Sequence, residues 1–196
     1  MGLHSSGPSL RRRDTLQRYH AARIALHWIV AGAVLGQLAL GWWMLDLPKT
    51  PPGLRAGWFN LHKSIGLTIG AAMMLRAWLW SRFPSPPLPV AIPRWQAVTA
   101  RATHVLIYVY LLLLPISGYL GSSFSKYPVK YFGLTLPQWG WDAPPLKEFF
   151  GAVHCLTAWT LLMALALHVA AALKHVFVDR DTIVQRIWFS TRGDRS

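Results

Sequence analysis

Long apolar runs, broken by short polar and basic stretches, set the pattern of this chain. Four of them, at about residues 24–46, 58–80, 102–123 and 149–173, are long enough to cross a bilayer as helices, which takes about 20 residues each. Polar positions within them are few: in the first run only His27 and Gln37 precede Asp46. Pro115 falls mid-way along the third, a kink that neighbouring helices accommodate in a membrane bundle. Prolines punctuate the connection after the second run (Pro84, Pro86, Pro87, Pro89, Pro93) and precede the fourth (Pro144, Pro145). The first run exceeds the apolar region of a signal peptide and no A-x-A site follows it, so it is expected to stay as a span. The pattern predicts an all-α fold, an integral membrane four-helix bundle in a single domain over 1–196, with no internal repeat.

Composition supports this reading. Hydrophobic residues make up 53% of the chain and charged residues 14%, with a mean hydropathy of +0.30, too little polar surface for a soluble domain of 196 residues. The net charge of +13 does not indicate nucleic acid, because the basic residues share no face or helix. They lie between the apolar runs, as they do in proteins whose partner is the lipid bilayer.

Their distribution gives a direction. Arg11, Arg12, Arg13, Arg18 and Arg23, then Arg76, Arg82, Arg94 and Arg101, then Lys174, Arg180, Arg186, Arg192 and Arg195 belong to one side, fourteen of the twenty. Lys49, Arg55, Lys63, Lys126, Lys130 and Lys147 belong to the other. Both termini and the 81–101 connection are therefore expected in the cytoplasm, with 47–57 and 124–148 facing the periplasm of a bacterium. Trp42, Trp43, Trp58, Trp78 and Trp80 lie near span ends, as an interfacial aromatic belt does.

Ionisable groups inside spans are costly and mark function. His27, His62, His104, His154 and His168 all fall in or at the edges of spans. His154 and His168 are fourteen residues apart, nearly four helical turns, so they project from one face about 21 Å apart along the axis. One helix thus offers a ligand near each membrane surface, as two haems stacked across the bilayer require, each iron needing a second histidine from a neighbouring helix. Depth matches His62 to His154 at the outer level. At the inner level, both His27 and His104 match His168, and depth does not choose between them. Interhelical hydrogen bonding is the plainer use of such histidines.

Arg76 is fourteen residues after His62 and shares its face at the inner level, where it is a candidate partner for a haem propionate or else snorkels to the headgroups. Gly66 and Gly70 after His62, and Gly41 after His27, leave shallow surface for a flat macrocycle or for plain helix contact. His20 and His175, each seven residues from an inner histidine, sit at the cytoplasmic rim as candidates for quinone or propionate binding. Cys155, the single cysteine, excludes an intrachain disulfide and is expected to be a small packing residue. The absence of CxxCH argues against covalently attached haem.

The segments RYHAARIALHWIV, LHKSIGLTIGAAMMLRAWLW, THVLIYVYLLLLPISGYL, YFGLTLP and ALHVAAALKHVFVDRD resemble the bacterial cytochrome b561 family, within it the superoxide oxidase type, over roughly residues 18–188. The resemblance implies two haem b groups, the inner held by His27 with His168 and the outer by His62 with His154. It also implies a reaction, in which superoxide gives up an electron, oxygen is released and ubiquinone is reduced at the bacterial inner membrane. One departure is that the family's Leu-Lys pair lies about one helical turn closer to the outer histidine than Leu146-Lys147 lies to His154. Superoxide is an anion, so basic outer loops would raise its encounter rate, and Lys126 and Lys130 are the candidate steering residues. No catalytic residue is assigned beyond these. Two alternatives stand beside this reading. One is a haem carrier passing electrons between the quinone pool and a periplasmic or hydrogenase-like partner subunit. The other is a haem-free four-helix transporter.

Overall fold

The structure, a computed structural model, describes residues 19–50, 53–83 and 92–188. Four long helices dominate it: α1 (Ala21–Trp43), α2 (Leu54–Arg82), α3 (Arg94–Ser123) and α4 (Pro144–Lys174). Each overlaps one of the apolar runs: α2, α3 and α4 contain theirs, whereas α1 begins ahead of its run and ends at Trp43, short of the expected end near residue 46. α3 begins at Arg94 and α4 at Pro144, ahead of their apolar runs, because backbone hydrogen bonding carries a helix through polar residues that hydropathy leaves out. At the start of α1 the His20 ring accepts the N–H of Ala22 at 3.3 Å, a side-chain cap. α4 ends in a π-helical turn, His175–Asp179, followed by a short 3₁₀ turn, Val184–Ile187.

Among the described residues, α1, α3 and α4 are long and apolar enough to cross a membrane. α2 has the length, at 29 residues, but carries His62, Lys63, Ser64, Thr68 and Arg76. Two of its polar positions, Ser64 and Thr68, have partners in the segment that joins α3 to α4. A hairpin of two short strands, β1 (Lys130–Tyr131) and β2 (Leu134–Thr135), folds back from the α3–α4 connection onto α2. The Phe132 N–H donates to Ser64 Oγ at 2.8 Å, Ser64 Oγ donates to the Asn60 carbonyl at 2.8 Å, and Tyr131 Oη meets Thr68 Oγ1 at 3.2 Å. The hairpin turn places both Phe132 (φ 46°) and Gly133 (φ 93°) in the left-handed region, which matches the twist of a two-residue hairpin.

The core is one apolar layer at mid-bundle, with two residues from each helix: Val30 and Val34, Ile69 and Met73, Ile107 and Leu111, Leu161 and Ala164. Leu161 lies midway between His154 and His168, so this layer separates the two histidine levels. α2 and α3 approach closely where Gly70 faces Pro115, whose Cγ lies 2.9 Å from where a Cβ on Gly70 would be. The outer surface is the reverse of a soluble protein's. Along α4, Leu156 (68% exposed), Trp159, Met163 and Leu167 form an exposed apolar stripe at helical spacing, as a lipid-facing surface requires. Cys155 lies on this exposed side and not in the packing between helices, a correction to the sequence expectation: its position one residue after His154 turns it outward. Trp42 packs on Trp159 and Trp43 on Trp58 at the same end of the bundle.

Candidate functional site

Four of the five span histidines meet in pairs, half-buried at opposite ends of the core layer. His62 of α2 and His154 of α4 have ring centres 6.2 Å apart, and His27 of α1 and His168 of α4 have theirs 6.4 Å apart. Two imidazoles bound on opposite sides of a metal, with metal–nitrogen bonds of about 2 Å, place their ring centres roughly 6.3 Å apart. Both pairs have that separation. His104 of α3 is exposed and sits 5.1 Å from His168, closer than such a sandwich allows.

Glycines make room for the outer rings. A Cβ on Gly41 would come 3.2 Å from His62 Cε1, and one on Gly118 would lie 3.3 Å from both Cε1 and Nδ1 of His154. His154 Nδ1 lies 3.0 Å from the Leu114 carbonyl and 3.3 Å from Ser117 Oγ. An Nδ1–H donated to Leu114 leaves the Nε2 lone pair free for a metal, the arrangement that histidine ligands generally adopt. The histidine pairs and their separations therefore fit a haem at each level, and at the outer level glycines leave the rings room.

Arg76 reaches the inner level, as its spacing from His62 predicts. Its Nη2 donates to His27 Nδ1 at 2.9 Å, and its guanidinium lies 5.4 Å from the Tyr108 ring centre. It points into the bundle, not out to the headgroups. The rim histidines are engaged locally. His20 stacks on Phe83 at 4.6 Å as well as capping α1, and His175 Nδ1 contacts Asp181 Oδ2 at 2.6 Å. His175, Asp179 and Asp181 form a polar cluster in which Asp179 also pairs with Lys174 at 2.5 Å.

The outer cations divide differently from the sequence expectation. Lys126 is exposed and faces Asp142 at 3.7 Å, and Lys130 is exposed on the hairpin. Lys63, next to His62, is half-buried and close enough to Lys147 for the two charges to repel. The sequence reading puts Lys63 and Lys147 on the same side, but how near α2 brings the one to the other on α4 is not legible in it. Arg11, Arg12, Arg13, Arg18, Arg192 and Arg195, which contribute to the predicted orientation, lie outside the described residues, as do Pro84, Pro86, Pro87 and Pro89.

A helical membrane bundle with histidines paired at two levels defines a membrane-bound haem protein. The chain matches the family model for prokaryotic cytochrome b561 over residues 18–190, and it belongs to that family. It is 34% identical to cytochrome b561 homolog 2 of Escherichia coli strain K12, over 92% of this chain and 96% of that protein. It is 28% identical to a probable superoxide oxidase CybB of Yersinia pestis, over 90% of this chain and 99% of that protein. A third relative, cytochrome b561 homolog 1 of the same Escherichia coli strain, is 22% identical over 88% of this chain and 97% of its own length. The protein is thus a haem b electron carrier of the bacterial inner membrane.

Proposed function

We propose that this chain carries two haem b groups and takes electrons from superoxide to ubiquinone. The observation that carries the reading is the double histidine sandwich, 6.2 Å and 6.4 Å between ring centres, strung along one face of α4 on either side of the apolar core. On this reading His62 and His154 hold the outer haem and His27 and His168 the inner one, and α2 completes a four-span bundle. Each histidine pair would hold its haem through the two ring nitrogens, and the bound group would supply a one-electron redox centre.

The chain's own residues then define access and charge. A ring that gives Nε2 to iron keeps its proton on Nδ1, so His27 no longer accepts from Arg76, and the guanidinium is released for a propionate carboxylate. At the outer level Lys63 stands next to His62, and Lys147 adds a second positive charge close to Lys63, so that the two attract a small anion. Overall, two superoxide anions each lose one electron to give two O2, and ubiquinone takes two electrons and two protons to give ubiquinol. His20 and His175 with Asp181 remain the candidate groups for the quinone headgroup at the inner rim. The similarity to the Yersinia protein supports the choice of superoxide as donor.

Rapid mixing of the purified protein with superoxide is expected to reduce the haems faster than superoxide dismutates, with a rate that falls as salt rises. Neutralising Lys63 and Lys147 to Gln together is expected to lower that bimolecular rate on the order of tenfold and to flatten its salt dependence. Lys126→Gln is expected to cost less, because Asp142 already faces that charge. Haems that superoxide fails to reduce would leave the second reading, electron delivery from a periplasmic redox partner. The exposed Tyr127, Phe132, Trp139 and Trp141 of the outer segment are the surface that favours it.

The orientation rests on fourteen of the twenty basic residues. A C-terminal alkaline phosphatase fusion is expected to be inactive and a green fluorescent fusion to be bright. The opposite pair of results would exchange the inner and outer haem assignments.

A further inference from the structure

The two outer histidines differ in how their second ring nitrogen is held. His154 Nδ1 has the Leu114 carbonyl and Ser117 Oγ. His62 Nδ1 is buried with no hydrogen-bond partner. A buried ring N–H without an acceptor is costly, and a histidine that binds metal through Nε2 carries its proton there.

A matching acceptor lies across the α1–α2 contact. The Cε1–Nδ1 edge of His62 faces Gly41 of α1, with Cε1 3.2 Å and Nδ1 3.8 Å from where a Cβ would stand. One turn earlier on the same face of α1 is Gln37. Its Nε2 donates to the backbone carbonyl of His62 itself, and its Oε1 is buried with no partner. The amide is not free to flip, since reversal would set Oε1 against another carbonyl oxygen. Gly66 makes room for this carboxamide: a Cβ there would come 3.3 Å from Gln37 Nε2. A buried unpaired donor and a buried unpaired acceptor thus share one helix contact, next to one residue.

We propose that Gln37 is the positioning residue of the His62 ligand, its Oε1 taking the Nδ1–H of His62, directly or through one buried water, while its Nε2 stays on the His62 carbonyl. This rests on the di-haem reading given above. The carboxamide grips both the backbone and the ring of one residue, which sets the ring's tautomer and rotation. An acceptor on Nδ1–H also makes the imidazole a stronger electron donor, which favours ferric over ferrous iron and lowers the potential of that haem.

The test is a redox titration of the purified haem-loaded protein, followed optically and by the low-spin ferric electron paramagnetic resonance signals. Haem content of the wild type is measured first, and a chain without a haem at the His62–His154 pair overturns the di-haem reading and this proposal together. With two haems present, Gln37→Leu removes the acceptor and is expected to raise the midpoint of one haem. Gln37→Glu supplies a stronger acceptor and is expected to lower the same midpoint, with the second haem unmoved in both. A packing role predicts no such opposition of sign. Midpoints that stay put in both variants, that move the same way in both, or an outer haem lost from both, would overturn the assignment of Gln37 while leaving the di-haem reading intact.

Discussion

His62→Ala and His154→Ala are each expected to leave one haem per chain and remove the other, and His27→Ala and His168→Ala to do the same at the opposite end. Pyridine haemochrome content, normalised to protein, is expected to fall by about half in every case, since a chain that ligates each iron through one histidine pair loses one cofactor per broken pair. The two classes should differ in which midpoint disappears. His104→Ala is the discriminating variant. Its ring is 5.1 Å from His168, too close to share a metal across it, and it is exposed where the four paired histidines are half-buried. Both haems are therefore expected to survive its loss. A His104→Ala protein with one haem, beside a His27→Ala protein with two, would exchange the inner ligand.

Gly118→Leu is expected to remove the outer haem as completely as His154→Ala does, with the histidine still in place. A Cβ at Gly118 already comes within 3.3 Å of two atoms of the His154 ring, tighter than ordinary contact. The ring has no easy retreat, because its Nδ1 is tied to the Leu114 carbonyl at 3.0 Å and Ser117 stands beside it. A leucine side chain must push the imidazole off its axis or part α3 from α4, and overpacking of this kind costs about 1–3 kcal/mol where it is relieved at all. Gly151→Leu is the control on α4 itself: nothing lies within 4 Å of its Cβ position, on an exposed face of the helix. That variant is expected to keep both haems and its wild-type melting temperature. Equal haem loss from the two glycine variants would mean that added bulk on the helices, not the His154 cradle, is responsible.

The legibility of the candidate site followed the reach of each signal. Resemblance had singled out His27 over His104, and the ring separations support the same choice by a route the sequence does not contain. Arg76 was legible because fourteen residues bring it back to the face of His62. Lys126 and Lys130 were singled out on charge alone, and charge does not reveal that Asp142 stands against the first of them. Lys63 with Lys147, Gln37 with His62, and Ser64 with the hairpin all join residues from elements far apart in the chain.

What the amino-acid sequence by itself determined is everything that one helix in one bilayer dictates. The length of an apolar run sets whether it can span, the 100° step per residue sets which side chains share a face, and the placement of Lys and Arg biases direction. Those are local rules, and from them came the helices, the alignment of His154 with His168 and the depth of every span histidine. The tertiary structure decided the remaining coordinates, the lateral position and rotation of each helix about its axis. These depend on pairwise packing, such as Gly70 against Pro115 and Gly118 against His154, which no single helix encodes. Depth is one coordinate and pairing needs three, which is why depth alone left two inner partners open to His168.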